Sequence, residues 1–383
     1  MSGRTAPKDL LVLALALAVR IAPILLADRL TADVLMYHRV GESVVAGEWN
    51  PYELKGLYPY PPVWVWFEAG SAWLAARIGV SFPILVKLPV LAGDLAIVAL
   101  LLRWRPRGAL VYALHPVSVL VTGFHGQFDA LMLFFVLLAL RLHESGHPDR
   151  SALALSVAIG LKAFPVLLLP LFLSRAGGPR GRAHYAFLAT APVALILLPF
   201  ALADFPAMRR ELLGYGGIAD FGWIALVRGA RWLATGALAR SEARHWGAMI
   251  PVAKALFLSV YGALVLGFWT GRLRLSLPQA ALGVFLAFEV FYGAVSAQYL
   301  LWVVPLALLA MDGFFAAYTV VATAALLGFY AFLQPLVLQA DPPLVRYAPG
   351  AAGGLWVAGV AATLSVGFAW LAALMRRGLR PSE

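Results

Sequence analysis

The segment His125-Gly126-Gln127-Phe128-Asp129 places imidazole, amide and carboxylate groups between two apolar runs, 108–124 and 130–142. Side chains of these types accept protons and bind hydroxyl groups. Each would cost several kcal/mol if it faced hydrocarbon without a partner. We therefore expect the segment to lie at a membrane surface, where it faces water, another polar cluster or a ligand.

A second candidate is Lys162, which lies in the sequence Lys162-Ala-Phe-Pro165 midway through the apolar run 151–173. Non-helical backbone at membrane depth is tolerated only where protein buries it or where it lines a wet cavity. The pattern predicts two half-helices, with Lys162 pointing into an outward-facing cavity. The alternative is a structural ion pair between Lys162 and a carboxylate such as Asp94.

The third candidate is Asp33, which follows the first apolar run and precedes Tyr37 and His38 on a short amphipathic stretch. A carboxylate at this position would overhang an outward cavity. Ordinary N-capping of the helix by Asp33 is the alternative. Tyr58 and Tyr60 belong to an aromatic and proline-rich stretch that fits an interfacial belt with a rigid turn equally well.

The composition indicates the kind of protein that must position these groups. Hydrophobic residues make up 62% and charged residues 13% of the 383-residue chain, and the mean hydropathy is +0.83. A helix needs about 20 apolar residues to cross about 30 Å of hydrocarbon, and such runs recur along the chain. The sequence therefore predicts an all-α polytopic membrane protein with one integral-membrane domain, 1–383, and no sizeable soluble domain.

The cysteine count and the net charge limit the kinds of site and partner that the chain can have. The chain has no cysteine, which excludes disulfides and thiolate metal sites. Its net charge of +11 fits topology signals and attraction to anionic lipid, and we expect no nucleic-acid partner.

Hydropathy predicts about 11–12 membrane segments, some of them broken or re-entrant. The first is interpreted as an anchor and not as a cleaved signal peptide, because it contains Arg20 and Pro23 and no clean cleavage site follows. The segments lie near residues 10–27, 61–79, 82–102, 108–124, 128–142, 151–173, 184–203, 247–270, 278–295, 299–311, 314–335 and 352–375.

Clusters of arginine and lysine predict the sides of the membrane. The positive-inside rule places six clusters in the cytoplasm. They are Arg4/Lys8, Arg103/Arg105/Arg107, Arg141/Arg150, Arg175/Arg180/Arg182, Arg272/Arg274 and Arg376/Arg377/Arg380. The candidate site would then be extracytoplasmic on a plasma-membrane protein.

The same assignment organises the rest of the chain. The outer side receives the loop 28–60 with its interfacial helix, the 125–129 and 296–299 junctions, and the loops 204–246 and 336–351. The core is 61–203 and the C-terminal helices are 247–383. The segments 61–79 and 151–173 must each start and end on one side, which predicts an interrupted helix in both.

Other charged residues have two interpretations each. Lys87 and Asp94 are seven residues apart on one helix and share a face, which favours structural pairing within the bundle. Glu289 has the same two interpretations, structural or chemical. The loop 204–246 carries more arginines than acids, and guanidinium groups match phosphate in bidentate geometry. Contacts with solvent or lipid headgroups are the alternative. The arginines are Arg209, Arg210, Arg228, Arg231, Arg240 and Arg244.

These pieces, taken in order, resemble the GT-C superfamily of membrane glycosyltransferases that use polyprenyl-phosphate sugars, and most of all bacterial family-87 mannosyltransferases and the eukaryotic lipid-linked-oligosaccharide glucosyltransferases. The resemblance covers about residues 28–305. It rests on Asp33 with Tyr37-His38, Asn50-Pro51-Tyr52 with Tyr58-Pro59-Tyr60-Pro61-Pro62, His115-Pro116 with His125–Asp129, Gly160-Leu-Lys162-Ala-Phe-Pro165, and Ser296-Ala-Gln298-Tyr299-Leu-Leu-Trp302 with Pro305.

The resemblance implies a GT-C fold with its catalytic cavity on the extracytoplasmic side, and Asp33 as the general base. It implies an inverting transfer of a hexose, preferably mannose, from a polyprenyl-phosphate donor to a glycolipid or lipid-linked glycan. The donor phosphate would meet Lys162, Arg209, Arg210 and Arg228. The sugar or acceptor would meet Tyr37, His38, Tyr58, Tyr60, His125, Gln127, Asp129, Gln298 and Tyr299.

The first outer loop departs from the family because it lacks an Asp-x-Asp pair. A divalent-metal site in that loop is therefore not supported, although Asp129 or Glu42 remains available as a ligand, and no cofactor is expected. Two other classes stay open. A transporter or flippase of lipid-linked sugars also uses broken helices and buried charges, and a non-catalytic membrane scaffold is the third.

Overall fold

The computed structural model describes residues 7–26, 31–310, 312–339, 345–346 and 350–379. Arg4, Arg380 and parts of the predicted loops 28–60 and 336–351 lie outside these ranges. Contacts between residues divide the chain into two compact units, Met1–Tyr215 and Gly216–Glu383. The predicted loop 204–246 is therefore shared between the two units.

The described part of the first unit is helical. Its helices are α1 (Pro7–Leu26), α2 (Ala32–Val45), α3 (Val63–Ile78), α4 (Phe82–Trp104), α5 (Pro106–Ala113), α6 (Pro116–Ser118), α7 (Asp129–Glu144), α8 (Pro148–Leu161), α9 (Leu169–Arg175) and α10 (Gly178–Met208). Two π-helical segments, Val119–His125 and Arg209–Leu213, continue α6 and α10, and 3-10 turns occupy Pro51–Glu53 and Phe164–Leu168.

The second unit contains the remaining helices. They are α11 (Gly222–Thr235), α12 (Met249–Trp269), α13 (Leu277–Phe291), α14 (Leu300–Ala310), α15 (Phe315–Gln339) and α16 (Ala351–Leu379). Two-residue strands, β1 (Ala237–Leu238) and β2 (Val345–Arg346), pair antiparallel. Helix α13 begins with a capping box, in which Ser276 and Gln279 each bond the backbone N–H of the other.

Six of the described helices are long and apolar enough to cross a membrane. A seventh span is present if the bent pair of Pro106–Ala113 and Pro116–His125 counts as one. Only 17% of the residues in the apolar windows of α1, α10 and α12 are buried by protein, so their outer surfaces suit hydrocarbon. The chain is thus an all-α, multi-pass membrane protein.

Hydropathy predicts more segments than there are full-length spans. Helices α3, α7 and α8 contain 16, 16 and 14 residues. Each is shorter than the roughly 20 residues that cross a bilayer perpendicular to its plane. Hydropathy counts such shorter apolar helices as segments because it measures composition and not helix length.

The predicted interruption within 61–79 is wrong. Val63–Ile78 forms one continuous helix, and Pro61 and Pro62 precede its first turn. Proline is tolerated at a helix N-terminus because the first N–H groups have no partner within the helix. The hydroxyl of Tyr58 accepts a hydrogen bond from the N–H of Val65 at 2.9 Å and thereby caps this terminus.

The predicted interruption within 151–173 is present. Helix α8 ends at Leu161, Lys162 has extended backbone angles, and a 3-10 turn over Phe164–Leu168 leads into α9. Pro165 lies in that turn, where its missing N–H and its ring oppose a continuous α-helix. The break places Lys162 at the end of a helix inside the unit.

A second break lies between α5 and α6, where the two helical pieces meet at 50°. Pro116 opens the second piece, which continues as the π-helical segment to His125. Arg20 of α1 donates to the carbonyls of Tyr112 and Ala113 at 3.3 and 2.6 Å, and so satisfies groups beside the break.

Arg20 also forms a buried ion pair with Asp94 of α4. Ser118 and Thr122 donate hydrogen bonds to the same carboxylate at 3.0 and 3.1 Å. Asp94 is therefore structural, as the sequence favours, but its ion-pair partner is Arg20 and not Lys162. The cluster ties α1, α4 and the π-helical segment together.

Candidate functional site

Asp33 lies in the first turn of α2, at the second helical position. The N-cap is Thr31, whose hydroxyl accepts a hydrogen bond from the N–H of Val34 at 3.3 Å. The capping alternative for Asp33 is therefore wrong. The Asp33 carboxylate contacts the imidazole of His125, with Oδ2 lying 2.6 Å from Nε2.

This contact joins α2 to the end of the π-helical segment Val119–His125. The His125 side chain is 3% exposed, whereas that of Asp33 is 22% exposed. Asp33 thus has one oxygen engaged by a buried imidazole and retains access to solvent. A carboxylate that is both oriented and accessible can accept a proton from a ligand.

The surroundings of Asp33 keep it ionised. Burial acts to raise the pKa of its carboxyl, but the hydrogen bond and charge of His125 act in the opposite direction, together with the Gln127 amide and the charge of Lys162. The balance leaves the pKa of Asp33 below its usual value. The carboxylate is therefore the populated form at neutral pH.

Asp129 and Lys162 form an ion pair beside Asp33. The Nζ atom of Lys162 lies 2.6 Å from Oδ2 of Asp129, and the two side chains are 3% and 0% exposed. The ammonium also lies 4.5 Å from the ring centroid of Phe128 and 5.4 Å from that of Tyr60. Burial of the pair is compensated by charge pairing and by these aromatic faces.

Two polar groups of the same cluster have no hydrogen-bond partner among the described residues. They are the hydroxyl of Tyr37 and the amide nitrogen of Gln127, which lies near enough to Asp33 to lower the pKa of its carboxyl but makes no hydrogen bond of normal geometry to it. Both residues are buried. Buried donors of this kind are normally satisfied by protein, water or ligand, so these two groups have hydrogen-bonding capacity left for a water or a ligand.

Aromatic rings form the wall around these polar groups. Trp64 stacks on Phe128 at 4.3 Å, and Tyr37 meets the edges of both rings at 5.6 and 6.0 Å. Tyr60 packs edge-on against Phe128 at 5.0 Å. Apolar and aromatic walls with a few oriented polar groups are typical of small-molecule and cofactor sites.

Two of the sequence-predicted residues make other contacts in this unit. Tyr58 is buried and donates to the Pro61 carbonyl at 3.0 Å, in keeping with its role at the start of α3. His38 lies 3.6 Å from a carboxylate oxygen of Glu42 and packs on Phe82. Their observed contacts are structural.

Arg209 and Arg210 lie in the π-helical segment Arg209–Leu213. Both are exposed, and Arg210 donates to Glu211 at 2.8 Å and to the Tyr52 carbonyl at 3.3 Å. Glu211 also accepts the N–H of Gly56 at 2.9 Å. This segment therefore anchors the loop that follows α2.

The second unit contains the other predicted residues. Arg228 is buried, pairs with Asp220 at 2.7 Å and donates to the Ala239 carbonyl at 2.7 Å, so its guanidinium has internal partners. Gln298 and Tyr299 are buried in a 3-10 turn between α13 and α14. Glu289 accepts a hydrogen bond from Tyr318 at 2.8 Å.

The sequence did not lead us to Thr31 or to the partner of Lys87. Thr31 donates to the His125 carbonyl at 2.9 Å, and Lys87 donates to the Phe124 carbonyl at 3.1 Å. Thr31 was detectable, because threonine directly before an amphipathic stretch is a typical N-cap. The partner of Lys87 was not, since a carbonyl freed by a π-helical end has no signature in the sequence.

The arrangement supplies an oriented carboxylate, two available polar groups and a paired cation. No cluster of three or more His, Cys, Asp or Glu side chains suited to a metal ion occurs in the described ranges. Glu42 contacts His38, and Asp129 contacts Lys162. Chemically, this geometry suits the abstraction of a proton by Asp33 from a hydroxyl group of a ligand bound beside it.

A comparison of the sequence with models of known protein families finds no match.

Proposed function

We propose that the protein is an inverting glycosyltransferase that moves a hexose, preferably mannose, from a polyprenyl-phosphate carrier to an extracytoplasmic glycolipid or lipid-linked glycan. The observation that carries the proposal is the pairing of Asp33 with His125. It gives one carboxylate that is oriented, ionised and still accessible. The order of motifs that resembles GT-C transferases adds the donor class.

The chemistry requires one base. The acceptor hydroxyl oxygen forms a bond to the anomeric carbon while the bond from that carbon to the phosphate oxygen breaks. Polyprenyl phosphate leaves with the electron pair, and Asp33 takes the hydroxyl proton. The phosphate is already a good leaving group, so a second carboxylate acting as an acid is unnecessary. A single displacement inverts the anomeric configuration.

The residues around Asp33 bind the sugar and stabilise the site. Gln127 and Tyr37 bind sugar hydroxyl groups, because each presents a buried polar group that needs a partner. Tyr60 and Phe128 form the wall against the sugar face. Lys162 holds the site together through Asp129 and keeps a positive charge near the leaving phosphate.

Exposed Arg209 and Arg210 are the proposed contacts of the lipid phosphate in the first unit. Arg210 shares its charge with Glu211, which leaves Arg209 as the stronger candidate. Arg228, Gln298 and Tyr299 belong to the second unit. For these residues a ligand contact stays a prediction from the resemblance, since the Arg228 guanidinium is already engaged by Asp220 and by the Ala239 carbonyl.

The test is sugar transfer by the purified protein in detergent. Polyprenyl-phosphate mannose and polyprenyl-phosphate glucose are offered with an extract of acceptor lipids, and the products are separated by mass. We expect a hexose to be added to a lipid, with mannose preferred. Movement of intact lipid-linked sugar across vesicles, without any transfer, would replace the transferase by a transporter.

A further inference from the structure

The end of the π-helical segment Val119–His125 is held by two side chains from other helices. The hydroxyl of Thr31 donates to the His125 carbonyl at 2.9 Å. The ammonium of Lys87 donates to the Phe124 carbonyl at 3.1 Å. The last two carbonyl groups of the segment are therefore bonded by α4 and by the cap of α2.

The backbone explains why these carbonyl groups need side-chain donors. The N–H groups of Gly126 and Gln127 both bond the Val121 carbonyl, at 3.1 and 3.2 Å. The chain then leaves the helix at Gly126, where φ is +81°. Helix ends leave carbonyl groups unpaired, and buried ones require another donor.

The approach of Lys87 to this turn is close. A Cβ atom on Gly126 would lie 2.8 Å from Cε of Lys87 and 3.0 Å from Cγ2 of Val34. Glycine is thus needed both for the positive φ and for the room that Lys87 and α2 occupy. The three elements are fitted to one another around the residue that follows His125.

We propose that Thr31 and Lys87 are positioning residues, which hold the end of the π-helical segment so that the His125 imidazole stays against the Asp33 carboxylate. Thr31 is well placed for this because it caps α2 two residues before Asp33 and bonds the backbone of His125. The Thr31 hydroxyl thereby holds both the backbone of His125 and the start of the helix that carries Asp33. The catalytic consequence rests on the proposed role of Asp33 as the base.

The first experiment measures the contact itself and needs no substrate. Protein is labelled with ¹⁵N in histidine side chains and ¹³C in aspartate carboxyls and reconstituted in lipid. Dipolar recoupling by solid-state NMR then reports imidazole–carboxylate contacts. Loss of a signal in Asp33→Asn assigns the pair, and the contact of His184 with Asp149, at 3.2 Å, serves as an internal reference.

Four variants are compared with the wild type. Thr31→Val removes the hydroxyl at nearly constant shape, whereas Thr31→Ser keeps it. Lys87→Met removes the second donor. Thr190→Val is the matched control, because Thr190 bonds only the carbonyl of Ala186 in its own helix.

We expect the contact between His125 and Asp33 to weaken in Thr31→Val and Lys87→Met and to persist in Thr31→Ser and Thr190→Val. In the transfer assay, kcat should fall about 100-fold in the first two variants with KM little changed, since small misplacements of a reacting group cost about that much. Serine at position 31 should restore kcat.

An unchanged contact in folded Thr31→Val and in folded Lys87→Met would overturn the proposal. If Thr31→Val does not fold, an unchanged contact in folded Lys87→Met overturns the proposal by itself. Loss of the contact in Thr31→Val and Lys87→Met, together with a wild type that keeps the contact and transfers no sugar, would leave the positioning intact and refute the transferase. Normal transfer and an unchanged contact in Thr31→Val and Lys87→Met would refute the positioning and leave the transferase intact.

Discussion

The buried pair of Lys162 and Asp129 gives a stability prediction whose size follows from the structure. Their charged atoms lie 2.6 Å apart, and the side chains are 3% and 0% exposed. Lys162→Met leaves a carboxylate in a site that water does not reach. Removing one partner of a buried pair costs about 3–5 kcal/mol of unfolding free energy.

The double variant Lys162→Met/Asp129→Asn removes the net charge as well as the pair. We expect it to recover most of the loss, because a neutral amide in place of the carboxylate avoids a buried unpaired charge. The control is Asp149→Asn, whose partner His184 lies 3.2 Å away with both side chains more than half exposed. Exposed pairs contribute about 0–1 kcal/mol.

The assay is SDS-induced unfolding in mixed micelles, followed by circular dichroism and tryptophan fluorescence. Wild type, Lys162→Met, Asp129→Asn and the double variant form a double-mutant cycle, and Asp149→Asn is measured beside it as the control. A loss in Lys162→Met no larger than that in Asp149→Asn would show that the carboxylate of Asp129 does not need its buried partner. Additive losses in the double variant would show that the two side chains are not coupled.

Three further results are expected. Gly126→Ala should lower both the stability and the rate of transfer, because the added methyl group meets Lys87 and the φ of +81° disfavours alanine. The thermal midpoint measures the first effect and kcat the second. The rate of transfer should fall on acidification only below about pH 4, because Asp33 must be ionised and His125 helps to lower the pKa of its carboxyl. A pH–rate profile measures the acid limb, and a limb near pH 6 would contradict this prediction. Arg20→Met should cost about 3–5 kcal/mol in the SDS assay, because it leaves a buried carboxylate unpaired, and a loss below 1 kcal/mol would contradict it.

The polar breaks in the apolar pattern were informative about the fold. The junction at His125 and the break at Lys162 both occur where polar residues interrupt hydrophobic runs, because such groups force an end to lipid-facing helix. The prediction of an interrupted helix within 61–79 was wrong at the Pro61-Pro62 pair, because proline interrupts a helix only when it lies beyond the first turn. In α3 it lies before the first turn.

The partners of buried charges could not be read from the sequence. Helical periodicity places Lys87 and Asp94 on one face but does not say what packs against that face. Asp94 pairs with Arg20, 74 residues away, and Lys162 pairs with Asp129, 33 residues away. These choices depend on how the helices assemble, which composition and periodicity do not encode.

The candidate site was predictable as a set of residue types more than as a geometry. Asp33, His125, Gln127, Asp129 and Lys162 meet within the first unit. The contact between Asp33 and His125 depends on a π-helical turn that periodicity does not reveal. The positions of Thr31 and Lys87 depend on the same turn.

Turnover by Asp33→Asn is the direct test of whether Asp33 is the catalytic base. Wild type, Asp33→Asn and the surface control Asp149→Asn are compared for hexose transfer from polyprenyl-phosphate mannose, with donor affinity measured on the same preparations. We expect kcat to fall about 10²–10⁴-fold in Asp33→Asn, the range typical for loss of a general base, while donor binding and the control remain unchanged. A folded Asp33→Asn protein that transfers mannose at the wild-type rate would show that Asp33 is not the base.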